Sequence, residues 1–183
     1  PSFIINGGDC IMDALAADKQ KTALQWEIWT EILTANNKLP IYHCLGNHDV
    51  WVWQVKDRSI ESDPLYEKNW AIKVLDIPGR YYSFEQSNWH FIVLDSTQEN
   101  KGGYIAKLDE EQYTWLEKEL DRVPKNKHIC LISHIPIISF CSAMFFDDML
   151  ANGDWKLSRV LLHTDARRLK TLFRRFPNIR ACL

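Results

Sequence analysis

The 183-residue sequence predicts an α/β fold. Short apolar runs rich in β-branched and aromatic residues alternate with longer segments of helical spacing, and polar residues recur just past the ends of the apolar runs. Alternation of this kind is the pattern of α/β proteins, whose sites gather at the carboxyl ends of strands. Composition agrees: 46% of residues are hydrophobic and 25% charged, with eight Trp and eight Phe, enough for a sizeable core and unlike a disordered or fibrous chain. No repeat, low-complexity tract or Pro/Gly/Ser linker divides the chain, so residues 1–183 read as one domain or part of one.

The elements follow in order. Residues 3–5 form a short apolar strand that runs into a turn at Gly7-Gly8-Asp9. From Asp18, a candidate N-cap, to about Asn36, Leu24, Ile28, Ile32 and Leu33 recur at helical spacing and mark the inward face of a helix. Residues 40–45 are a second strand, ending at Gly46. Residues 51–80 lack a clean period and predict an irregular excursion with a short helix near 66–75. Residues 80–86 and 89–95 are β-rich and flank Ser87-Asn88, a hairpin signal. Asp109 and Gln112 form a capping-box pattern before a helix with Leu116, Leu120 and Val123 on one face and Pro124 at its end. A continuous apolar strand covers 128–133, a long aromatic loop 137–158, a helix about 164–176 with Leu169, Leu172, Phe173 and Phe176 inward, and a last strand 179–183.

Lys plus Arg number 22 and Asp plus Glu 24, a net charge of −2 that offers no global attraction to nucleic acid or anionic membrane. No apolar run approaches the roughly 18 residues of a membrane span. The five cysteines form no CxxC pair; Cys44, Cys130 and Cys182 sit in apolar strands and read as small buried thiols. Compartment is not legible from this usage.

Three strand ends carry chemistry: Gly8-Asp9, Gly46-Asn47-His48-Asp49 and Ser133-His134-Ile135-Pro136. Each follows an apolar strand, so all three are expected to converge on one edge of a largely parallel central sheet. Asp, Asn and His together supply hard oxygen and imidazole donors suited to Mn, Fe or Zn. A pair of such ions clamps a phosphoryl oxygen and lowers the pKa of a water between them. Taken singly, Gly-Asp is an ordinary turn, His134 a core histidine and Gly-Asn-His-Asp an Asx-type turn. Their order and spacing together is what points to a site.

In that order the three motifs resemble the second, third and fourth motifs of the calcineurin-like metallophosphoesterases, the metallo-dependent phosphatases, over essentially the whole chain. Residues 6–13, Val93-Leu94-Asp95-Ser96-Thr97 and Asp165-Ala166-Arg167-Arg168 are most similar to a bacterial branch of that family. The resemblance implies a β-sandwich core with flanking helices. It also implies metal-dependent hydrolysis of phosphate mono- or diesters, a metal-bound hydroxide attacking phosphorus in line. Asp9 would bridge two divalent ions of Mn, Fe or Zn type; Asn47 and His134 would ligate the second. His48 would stand beside the phosphate and assist the leaving oxygen, with Asp49 orienting its imidazole. The family's first motif, Asp-x-His, falls before Phe3 and its last, Gly-His-x-His, after Leu183. The sequence therefore reads as a domain truncated at both ends, expected by itself to hold zero or one metal, to show no turnover, and to associate through its cut strand edges.

A non-catalytic binding module with this fold and an incomplete metal site is the alternative; a nuclease is a third reading, disfavoured by the near-neutral charge. The expected partner is a small phosphoester. Trp51 and Trp53 either wall the substrate pocket or pack against residues 54–80. The loop with Phe140, Met144, Phe145, Phe146, Asp147, Asp148 and Trp155 is either a lid or a packed flap. Arg167, Arg168, Lys170, Arg174 and Arg175 read as a solvated helix face, and His43, His90, His128 and His163 as structural.

Overall fold

The computed structural model describes residues 1–55, 58–141, 150–154 and 156–183. Within them lie β1 (Ile4–Asn6), α1 (Lys19–Asn36), β2 (Ile41–His43), a 3-10 turn (Arg58–Ser62), α2 (Asn69–Leu75), β3 (Tyr82–Gln86) and β4 (Trp89–Leu94). They are followed by β5 (Thr97–Glu99), β6 (Tyr104–Ala106), α3 (Glu110–Arg122), β7 (His128–Ser133), α4 (Ala166–Phe173) and β8 (Ile179–Cys182).

Period-two alternation along the strands sorts these elements into layers. Phe91 and Val93 of β4, with Cys130 and Ile132 of β7, face Phe3, Ile5, Tyr42 and Cys44 from the β1–β2 side. The alternate residues, Ile92, Leu94, Ile129 and Leu131, face Leu116 and Leu120 of α3 and Leu169 and Leu172 of α4. Beyond the β1–β2 pair, Trp26 of α1 and Trp70 and Leu75 of α2 close over Leu45 and Trp51. The layers thus run helices, two strands, four strands, helices: a β-sandwich flanked by helices.

The expectation of one largely parallel sheet is corrected. Strands β1 and β2 form a separate parallel pair; β3-β4-β7-β8 form a mixed sheet, antiparallel between β3 and β4 and parallel elsewhere; β5 and β6 form a hairpin. Aromatic side chains explain the split. Tyr42 stacks on Phe84 at 3.5 Å between ring centroids, and Phe3 meets Phe84 and Phe91 edge-on at 6.2 and 5.6 Å. Rings of this size hold two strand layers face to face, where an edge-to-edge ladder would leave them outside the core.

Helix α1 starts where expected, with the Asp18 carboxylate accepting from Lys21 N at 2.8 Å, but its inward face differs. Thr22 and Trp26 are buried and Trp29 and Leu33 half-buried, whereas Leu24, Ile28 and Ile32 are exposed. The larger indoles take the core side because they remove more apolar surface from water. In α3, Asp109 caps Gln112 N at 2.8 Å, but the Gln112 side chain does not complete a capping box. Instead its amide brackets the backbone of Asp95, accepting from Asp95 N at 2.9 Å and donating to Asp95 O at 3.0 Å. The basic face of α4 is paired across to α3: Arg168 with Glu110, and Arg175 with Glu117. Cys44 and Cys130 are buried as expected, but Cys182 is exposed. Of the loop at 137–158, Met144, Phe145, Phe146, Asp147, Asp148 and Trp155 lie outside the described residues, and no helix of the described residues is long and apolar enough to cross a membrane.

Between sheet and α3, buried His90 contacts Glu119 through Nε2 at 2.8 Å, and Arg122 also donates to Glu119. Burial pushes the Glu119 carboxyl up, but donation from Arg122, Ser83 and His90 outweighs it and leaves the group below its ordinary value. A carboxyl lowered in the folded state stabilises the fold fully above its unfolded pKa of about 4.3, and that contribution is lost as pH falls through the lower folded value. Urea midpoints measured from pH 6 to pH 3 are expected to fall with pH, and to fall less steeply in Glu119→Gln.

Candidate metal centre

Strand β1 ends at Asn6, whose Oδ1 accepts from Gly8 N at 2.7 Å and turns the chain. Gly8 has φ +99°, and a Cβ on it would stand 2.6 Å from Gly46 N and 2.7 Å from His134 Nδ1. A Cβ on Gly46 would stand 2.1 Å from Asp9 Oδ1. Glycine is required at both positions because the three loops touch there. Asp9 itself lies in the left-handed region at φ +54°, a conformation a non-glycine residue keeps only when its surroundings impose it.

What imposes it is Asp49. Its fully buried carboxylate accepts four backbone N–H groups: Gly46 at 2.8 Å and Asp9 at 2.9 Å on Oδ2, Cys10 at 2.7 Å and Ile11 at 3.3 Å on Oδ1. Burial pushes its carboxyl up, to about 6, and the N–H donors oppose that by favouring the anion. The expected role of Asp49 as orienting partner of His48 is corrected, since every hydrogen bond it makes is to backbone. The carboxylate facing His48 is Asp13, with Oδ1 3.6 Å from His48 Nδ1. Gln25 of α1 holds Asp13 by its backbone, accepting from Asp13 N and donating to Asp13 O, each at 2.9 Å. Asp13 is not singled out by the sequence because its partner lies 35 residues away.

His134 arrives from the other layer, at the end of β7. Its Nδ1 lies 2.8 Å from Gly7 O, and since a carbonyl only accepts, Nδ1 carries the hydrogen. In the neutral ring Nε2 then presents a lone pair, 3.2 Å from Asn47 Oδ1 and 3.4 Å from Asp9 Oδ1. Asp9 Oδ1 also accepts from His48 N at 3.0 Å, which ties the His48 backbone to this cluster; the His48 side chain is about two-fifths exposed. Among the described residues no set of three or more His, Cys, Asp or Glu side chains is gathered to hold a metal. The convergent set contains two of those types, Asp9 and His134, completed by an amide oxygen. Three lone pairs facing one another without a hydrogen between them repel unless a cation lies among them, so the donors fit a borderline divalent ion.

The structure brings Asp9, Asn47, His48 and His134 together. Trp51 and Trp53 are packed inside: Trp51 meets Trp70 edge-on at 5.0 Å and donates to Ala17 O, and Trp53 lies under Lys68 Nζ at 4.9 Å. Tyr104, on the β5–β6 hairpin that sequence reading missed, is half-buried near the centre; burial and then the charge of Asp9 raise its hydroxyl pKa. The only sequence signal for that hairpin is Gly102-Gly103.

The family model of the calcineurin-like phosphoesterases matches residues 1–171, a span that contains the loops just described. The chain belongs to the calcineurin-like phosphoesterases. It is also similar to purple acid phosphatase 15 of Arabidopsis thaliana, 28% identical over 107 residues, which is 56% of this chain and 18% of that protein. The chain thus spans less than a fifth of the curated relative's length.

Replacing Asp49 tests the anchor. Asp49→Asn substitutes an NH2 for one acceptor oxygen among four N–H donors, and the expected loss of stability is about 1–3 kcal/mol, the penalty for stranding a buried polar group. A urea titration at pH 7.5 checks it; an unchanged midpoint would mean the two loops are held by something else.

Proposed function

We propose that the intact protein hydrolyses phosphate mono- or diesters with Asp9, Asn47 and His134 holding a divalent cation of Mn, Fe or Zn type. The observation that carries this reading is the approach of Asn47 Oδ1 and Asp9 Oδ1 to 3.2 and 3.4 Å from His134 Nε2. When bound, such an ion supplies Lewis-acid polarisation of a phosphoryl oxygen and activates a water. By the resemblance, Asp9 would also be the carboxylate holding a second ion.

The remaining chemistry belongs to side chains. His48 is exposed away from Nδ1, and Asp13 favours a hydrogen on Nδ1 by its negative charge. In the doubly protonated ring the opposite edge donates to a phosphoryl oxygen and can give its proton to the leaving oxygen. Among the described residues no Lys or Arg pairs with Asp9 or Asp13, so their negative charge stays available to a cation rather than being neutralised by the protein. A small phosphoester suits a chain of net charge −2 better than nucleic acid does. The relative named an acid phosphatase supports the monoester option.

The experiment is an assay of the intact protein that contains residues 1–183, with excess Mn²⁺ against aryl phosphate mono- and diesters. Turnover abolished in Asp9→Ala supports the reading; turnover that survives Asp9→Ala refutes the centre. His48→Ala is expected to lower turnover by about 10² to 10⁴, the usual range of acid–base assistance, with Mn²⁺ content unchanged. Loss of Mn²⁺ in that variant would make His48 a ligand instead.

A further inference from the structure

Immediately beneath the candidate centre lies a buried cluster that the site does not use. His163 Nε2 is 3.2 Å from Ser133 Oγ, and His163 Nδ1 is 2.9 Å from Asp165 Oδ1. Ser133 and His163 are both buried. A Ser-His-Asp set at these distances has the outline of a hydrolytic triad, and the hydrogen count rules that role out. The Ser133 hydroxyl has one hydrogen, and it goes to Ile135 O at 2.7 Å. Ser133 Oγ is then left only as an acceptor toward His163 Nε2, and the serine offers His163 no proton to take.

The contacts of His163 fall on both sides of His134. Its side chain donates to Ser133, one residue before, and its backbone N donates to Pro136 O, two residues after, at 3.2 Å. Ile135 N is tied separately to Ser96 Oγ at 3.0 Å. Asp165 is itself anchored, accepting from Tyr113 OH at 2.7 Å and Leu108 N at 2.9 Å, which joins the bracket to α3. Burial raises the Asp165 carboxyl, and donation from His163, Tyr113 and Leu108 outweighs it and holds the group below its ordinary range.

We propose that His163 is a positioning residue of the metal centre: by gripping Ser133 and Pro136 it sets the backbone from which the His134 ring reaches Gly7 O with one nitrogen and the cation site with the other. This rests on the reading of His134 as a ligand. Outer partners that orient a ligating imidazole typically change metal affinity about 10- to 100-fold when removed.

Two substitutions separate the donor from mere packing. The amide nitrogen of Gln reaches the place of Nε2, so His163→Gln keeps the bond to Ser133; that of Asn matches Nδ1, so His163→Asn loses it. The first readout needs no metal: exchange protection of the His134 Nδ1–H in the ring proton–nitrogen spectrum of the full chain. Protection is expected in the unsubstituted protein and His163→Gln, and lost in His163→Asn. The second readout is Mn²⁺ affinity by titration, expected to drop about 10- to 100-fold in His163→Asn and to stay near the parent value in His163→Gln. Retained protection in His163→Asn overturns the proposal, as does loss of protection and affinity in both variants alike. If the unsubstituted chain binds no Mn²⁺, the metal reading fails while the protection experiment still decides the positioning. Should His163→Asn not fold, Ser133→Ala removes the acceptor instead, and full protection in that variant overturns the proposal.

Discussion

The buried carboxylate of Asp49 is the constraint on which the rest of the site depends. One oxygen takes N–H groups from both Gly46 and Asp9, so the loop after β2 and the loop after β1 are fastened to one atom. The other oxygen takes Cys10 and Ile11 and carries the chain away from the centre. Four donors on one anion explain how a charge survives at zero exposure, and how Asp9 is kept at positive φ with its side chain turned to the cluster. Asp49 lies next to the candidate functional residues in sequence and acts entirely through backbone.

The centre also depends on the sandwich being closed. Asp9 and Asn47 belong to the β1–β2 layer and His134 to the four-stranded layer, and no ladder hydrogen bond joins the two sheets. Aromatic packing of Phe3 and Tyr42 against Phe84 and Phe91 brings the layers together, and the side-chain-free surfaces of Gly8 and Gly46 let the loop ends close to contact. Packing spread across a large apolar interface thereby holds Asp9, Asn47 and His134 at close separation.

Charged groups away from the centre are arranged differently. Asp95, fully buried at the end of β4, is matched by Lys68 at 2.6 Å and Arg80 at 2.9 Å, and Gln112 satisfies its backbone. That pairing ties α2, β3 and α3 to one strand end and leaves no charge free for a ligand. The histidines divide in the same way: His90 is satisfied by Glu119 in the core, whereas His163 supports the loop that carries His134.

Apart from the β5–β6 hairpin, strand and helix order, the hairpin at Ser87-Asn88, the Asp18 and Asp109 caps and the three motif loops were legible in the sequence, because each depends on residues a few positions apart. The fold class followed from alternation, and the resemblance in Gly-Asp, Gly-Asn-His-Asp and Ser-His-Ile-Pro identified the residues that meet. Partner choice was not legible. Which indole of α1 turns inward, that Gln112 reaches Asp95 rather than its own helix start, and that Asp13 rather than Asp49 faces His48 all involve groups brought together only by packing. A periodic pattern specifies which face of an element is apolar, but a hydrogen bond is specified by two positions at once. Where those positions are distant in sequence, only the closed tertiary structure decides which donor finds which acceptor.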